Sequence, residues 1–166
     1  MQIFMIVFLT MMSPIWPLGD NPLSGDPFVV VNKQTNELAY IQDGEVQSVL
    51  KVATGKTDDL TPEGEFTIVV KAKNPYYRRG KIEGGSPENP LGTRWIGFDA
   101  RETDGRIYGI HGTNQPDSIG KFISNGCIRM QKEHVEVLYE KVPIGTRVLI
   151  VNSHLSFQEI VKERGL

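Results

Sequence analysis

The chain has 166 residues and a formal charge of −2, with 39% apolar and 23% charged residues. That length and apolar content suit one domain with a sizeable core and exclude a wholly disordered chain. Without a basic surplus the chain is no general nucleic-acid binder, because phosphate contacts need one. Its single Cys, Cys127, excludes an internal disulfide and a Cys-rich zinc site.

Residues 3–12 read IFMIVFLTMM, with Pro14 and Pro17 just behind them. Ten residues span about 15 Å as a helix, half a bilayer core, so no stable membrane span is expected and an export leader over 1–19 is. No Lys or Arg precedes the run, which departs from the usual leader. Residues 20–27 read as a turn-rich linker. The globular domain is predicted over 28–152 and a tail over 153–166.

Within the domain, residues 28–31, 38–41 and 46–53 read as an opening antiparallel meander, with Asp43-Gly44 as its hairpin turn. Residues 54–64 form a loop, and the β-branched run at 66–70 a strand. Residues 74–92 hold four Gly, three Pro and the adjacent Arg78 and Arg79 but few apolar side chains. A loop of that length is usually a binding loop or lid. Residues 95–98 and 107–110 read as two strands turning at Gly105. Val135, Leu138, Tyr139 and Val142 recur at helical spacing, which predicts a helix over 131–141. A last strand follows at 147–151, and Ser156 with Glu159 makes a capping-box pattern for a short terminal helix. The fold class is therefore mainly β with one or two short helices.

The chemistry concentrates in residues 110–130, IHGTNQPDSIGKFISNGCIRM. Cys127 follows Gly126 just before the predicted helix, and a helix N-terminus and a nearby imidazole both favour a thiolate. A Gly-bearing turn lets successive N–H groups converge on one point, where they can stabilise an oxyanion. His111 ends a predicted strand, and a hairpin-like return brings it towards Cys127. From the residues alone Cys127 is either a nucleophile or a small buried hydrophobe. His134 reads as a helix surface or boundary residue and His154 as a tail residue. The His111, Cys127 and His134 spacing matches no compact ligand pattern, so no metal is expected.

This stretch resembles the signature of the L,D-transpeptidases of bacterial peptidoglycan, the YkuD-type catalytic domain. The matching residues are His111-Gly112-Thr113 and Ser124-Asn125-Gly126-Cys127-Ile128-Arg129-Met130. Ser118-Ile119-Gly120-Lys121, the TPEGEF element at 61–66 and Gly145-Thr146-Arg147-Val148 are also typical of the family. The likeness covers about residues 28–152 and implies a YkuD-like β-sandwich. It implies Cys127 as nucleophile, His111 as proton acceptor and donor, and the Gly112 carbonyl as the group that orients the imidazole. The N–H groups of Asn125, Gly126 and Cys127 are the implied oxyanion hole, with Ser124 and Arg129 in support. Arg129 either holds the loop, meets a substrate carboxylate or forms a structural ion pair. Asn125 stands where many members carry His. Tyr76, Tyr77, Arg78 and Arg79 are candidate substrate contacts.

The resemblance further implies cofactor-free acyl transfer on peptidoglycan stem peptides, through a thioester on Cys127. The acceptor is an amine of a second stem, a D-amino acid, a protein lysine or water. An exported location in the cell envelope follows from the leader and that substrate. Two other readings are an L,D-carboxypeptidase or other cysteine hydrolase, and a non-catalytic wall-binding module. A redox role has no resolving Cys. No oligomeric state is read from the sequence.

Overall fold

The computed structural model describes residues 25–165. The leader expected over 1–19 and the first part of the linker lie outside them. Strand β1 (Phe28–Asn32) pairs with β2 (Glu37–Gln42), which pairs with β3 (Glu45–Lys51), forming the predicted meander. Asp43 and Gly44 both adopt positive φ in the hairpin turn, the geometry such two-residue turns need.

The other side of β1 takes β10 (Arg147–Val151) as a parallel neighbour. Both strands are β-branched and buried on both faces, as parallel central strands are. Strand β5 (Gly64–Lys73) changes partner midway: residues 64–67 pair with β10, and residues 68–73 with β6 (Arg94–Phe98). The turn before β10 fills the switch, since Ile68 N–H donates to Thr146 O and Gly145 N–H to Ile68 O. Beyond β6 come β7 (Tyr108–His111) and β9 (Ile128–Arg129). A separate parallel pair joins β4 (Thr54–Gly55) to β8 (Phe122–Ser124).

Eight strands thus form one sheet in the order β3-β2-β1-β10-β5-β6-β7-β9. Ala53 and Arg129 exchange two N–H···O bonds of 2.9 Å, which draws the far strand back to the segment after β3. The curled halves close over one core that includes Val29, Leu38, Ile68, Ile96, Phe98, Ile110, Ile128 and Met130. Helix α1 (Lys132–Lys141) adds Val135 and Leu138 to it. Lys71 Nζ donates to the Tyr139 and Val142 carbonyls at the end of α1, where helix carbonyls lack partners.

Helix α2 (Phe157–Arg164) covers the outer face of β1, β2 and β10 with Phe157, Ile160 and Val161. Its start is the capping box of Ser156 and Glu159, and Gly165 ends it in the left-handed conformation. Among the described residues no helix is long and apolar enough to cross a membrane.

One expectation is corrected. Cys127 does not stand at a helix start: it leads directly into β9, and α1 begins only at Lys132. The helix dipole acts within about one turn of the helix end, so it is not what tunes the thiol. Ile128 and Arg129 form a strand instead because Ile128 completes a buried row with Ile110.

Candidate active site

Strand register builds the site. Ile96, Ile110 and Ile128 are partners across β6, β7 and β9, and all three are fully buried in the core. Side chains alternate along a strand, so their flanking residues share the opposite face. One row on that face is Trp95, His111 and Arg129. The next is Gly97, Gly109 and, one step before Ile128, Cys127. Cys127 and His111 are diagonal neighbours, about 8 Å apart between Cα atoms at ideal strand spacing.

The chain reaches Cys127 from His111 through a 3₁₀ turn at Pro116–Ser118 and a bend at Gly120. Ser118 is buried and its hydroxyl donates to Gln115 O, while Gly120 N–H donates to Val52 O. The first bond closes the turn on itself, and the second docks the Ser118–Lys121 motif on Val52, just after β3.

The turn before Cys127 is held from inside and outside. Ser124, almost fully buried, accepts from Gly126 N–H at 3.0 Å and donates to Cys127 O at 2.6 Å. Thr61, also buried, accepts from Gly55 N–H at 2.9 Å and donates to Gly126 O at 3.1 Å. Gly126 has φ +125°, and a Cβ there would lie 2.6 Å from Leu60 O. Only glycine fits that backbone and that gap. Since Gly126 N–H already serves Ser124, the N–H groups of Asn125 and Cys127 are the two that donate to nothing among the described residues.

Cys127 is half-buried, and its Sγ–H donates to Ile107 O at 3.3 Å. Desolvation pushes the thiol up to about 11, against weaker pulls from the Gly109 main chain and the Arg129 and Arg79 charges. His111 is buried, and its Nδ1 lies 2.5 Å from Gly112 O. A carbonyl only accepts, so Nδ1 carries the proton and Nε2 keeps the lone pair. Burial pushes this imidazole from 6.5 down to about 4; the Gly112 carbonyl opposes that, the Arg129 charge adds to it, and the Leu91 carbonyl opposes it. Near pH 7 the site therefore holds a neutral thiol and a neutral imidazole, not a preformed ion pair.

Arg129 forms no ion pair among the described residues; its NH1 meets Gln115 Oε1 at 3.4 Å. Its charge bears on Cys127 and His111 alike.

The loop over residues 74–92 is built, not loose. Tyr77 and Ile82 exchange main-chain hydrogen bonds, which makes a tight hairpin with Arg78 and Arg79 exposed at its tip. Tyr76 is exposed and Tyr77 half-buried. The Arg79 charge reaches Cys127. Asn89, 1% exposed, organises the loop through bonds to Pro75 O, Glu83 O and Leu91 N–H. Asn114 Nδ2 ties it to the segment after His111 by donating to Glu88 O.

Sequence reasoning missed the parts played by Trp95 and Thr61. Thr61 lay in a quoted motif without a role, and only the fold shows which main-chain groups its hydroxyl joins. Trp95 read as an ordinary strand residue because nothing local tells that it opposes His111.

Comparison with known proteins fits this geometry. The family model described as YkuD, the L,D-transpeptidase catalytic domain, matches residues 26–150. A protein of Bacillus subtilis named "Putative L,D-transpeptidase YqjB" is 65% identical over 163 residues, 98% of this chain and 93% of that protein. "Putative L,D-transpeptidase YkuD" of the same organism is 37% identical over 130 residues, 75% of this chain and 69% of its own length. The crystal structure of a cysteine-to-serine mutant of an Enterococcus faecium L,D-transpeptidase superposes with a TM-score of 0.62 at 23% identity. That match covers 79% of this chain and 52% of the other. Fold and comparisons together define an enzyme of the L,D-transpeptidase class. The chain belongs to the YkuD catalytic-domain family.

Proposed function

We propose that this enzyme transfers the acyl group of a peptidoglycan tetrapeptide stem through a thioester on Cys127. The observation that carries the reading is the shared sheet face of Cys127 and His111, with the imidazole Nδ1 fixed on Gly112 O. That fixing leaves Nε2 as the acceptor a general base needs.

The site chemistry supports a concerted first step. Sγ turns from Ile107 O towards His111 and attacks the carbonyl before the terminal D-Ala, while the thiol proton passes to Nε2. The S–C bond forms, the C–N bond breaks, and Nε2 returns the proton to the leaving amine. An acceptor amine then attacks the thioester, gives its proton to Nε2, and leaves the thiol restored. A neutral pair suits this sequence because the base is unprotonated at neutral pH and the thiol ionises only as it attacks. The N–H groups of Asn125 and Cys127 receive the oxyanion. The Asn125 side chain is exposed, so its part is through the main chain. Arg129 and Arg79 add positive potential where negative charge develops, and they suit a carboxylate of the stem. The apolar leader and this substrate support work outside the cytoplasmic membrane.

The test incubates the full chain with a tetrapeptide muropeptide and excess labelled D-amino acid, beside Cys127→Ala. Exchange of terminal D-Ala for the label, absent in the variant, is the expected mass-spectrometric result. Release of D-Ala without exchange assigns a carboxypeptidase. Equal turnover in Cys127→Ala removes Cys127 as the nucleophile.

A further inference from the structure

We propose that Trp95 is the positioning residue for His111: its indole restrains the imidazole face and keeps that face from water, and Gly97 and Gly109 are glycine to seat it. The inference rests on the reading of His111 as the base.

Trp95 and His111 are register partners across β6 and β7, and their rings stack at 5.6 Å with 17° between planes. The indole is pinned at its other end, where Nε1–H donates to Gly105 O at 2.8 Å. Between these two anchors it lies across the row that ends at Cys127. A Cβ on Gly97 would lie 1.8 Å from Gly105 O, the acceptor of that bond, and 2.6 Å from the indole Nε1; one on Gly109 would lie 2.7 Å from Cζ2. All three distances are shorter than a packed contact allows, so the indole fills the space over Gly109, and the indole with its carbonyl anchor fills the space over Gly97. Trp95 is itself only 9% exposed, so it fills a slot instead of resting on the surface.

The two restraints on the imidazole are complementary. The Gly112 carbonyl fixes it at the ring edge through Nδ1. The indole restrains it on the ring face. A ring held at edge and face has one direction for Nε2, and preorganisation of that kind governs proton-transfer rates. Desolvation by the stacked indole also disfavours the charged imidazolium.

The experiment measures alkylation of Cys127 by iodoacetamide against pH in the full chain, with peptide turnover measured beside it. Trp95→Leu is expected to lower kcat about 10- to 100-fold with KM little changed, the size of loss that small misplacement causes. Its acid limb moves upward, towards the ordinary imidazole range. Trp95→Phe keeps an aromatic face without the N–H bond and recovers most of the rate. A folded Trp95→Leu with the wild-type rate and profile overturns the proposal. Should that variant fail to fold, NMR of the wild-type His111 ring decides. Ring-current-shifted signals that titrate well below the usual range agree with it; unshifted signals titrating near 6.5 overturn it. Alkylation uses no peptide, so failure of the peptide assay tests the function and leaves this inference standing.

Discussion

Thr61 lies on no strand, yet it joins two parts of the fold at the nucleophile turn. Its hydroxyl bridges Gly55 N–H and Gly126 O. The segment that carries it is held by Lys33, whose buried ammonium pairs with Asp58 and Glu63 and donates to the Asp58 and Thr61 carbonyls. The Lys33 charge is thus matched where its own burial would otherwise be costly. Thr61→Val leaves a buried donor and a buried acceptor unpaired, which costs about 1–3 kcal/mol. The urea midpoint should fall and Cys127 alkylation should slow, while Thr61→Ser retains both bonds and both properties. A Val variant as stable and as reactive as wild type would remove Thr61 from the support of the turn.

At the scale of elements, the 74–92 loop and the curled sheet divide the work. The sheet sets the positions of Trp95 and His111 by register, and that of Cys127 by its place one residue before Ile128. The loop brings the Arg79 charge to bear on Cys127, and Asn89 is the side chain that gives it shape. Its amide answers carbonyls at residues 75 and 83, and its oxygen takes the N–H of residue 91, so one residue spans most of the loop. Asn89→Ala removes three bonds at one point. Trypsin should then cut the variant at Arg78, Arg79 or Lys81 in native buffer, while wild type resists. Equal resistance in both would show that the main-chain bonds of the hairpin suffice.

At the scale of the molecule, the same burial that keeps His111 neutral links the site to stability. The folded protein takes up this proton only near pH 4, whereas the unfolded chain takes it up near 6.5. Above pH 6.5 neither state is protonated there and the group contributes no pH dependence. Between 6.5 and 4 the unfolded state binds more protons, so stability falls by about 1.4 kcal/mol per pH unit, about 3 kcal/mol in all. Below pH 4 this contribution is flat. His111→Gln should lose that slope. Denaturation curves at pH 7, 5.5 and 4 for both proteins measure it, and parallel pH dependence in the two would contradict a buried neutral imidazole.

Local pattern carried much of the architecture. Alternation, β-branched runs and turn residues marked the meander at 28–51, the strands around Gly105, helix α1 and the capped helix α2, because each depends on neighbours within a few residues. The order of motifs around His111 and Cys127 pointed to the family without any structure. Three things lay beyond reach of the sequence alone: the parallel pairing of β1 with β10, the partner change within β5, and the short strands β4, β8 and β9. Each is decided by contacts between residues far apart in the chain, where local propensity has no say. The same holds at the site. Residue types named Cys127 and His111, but only the register of β6, β7 and β9 put them on one face with Trp95. Only burial, a property of the whole packed molecule, pushed the thiol up and the imidazole down.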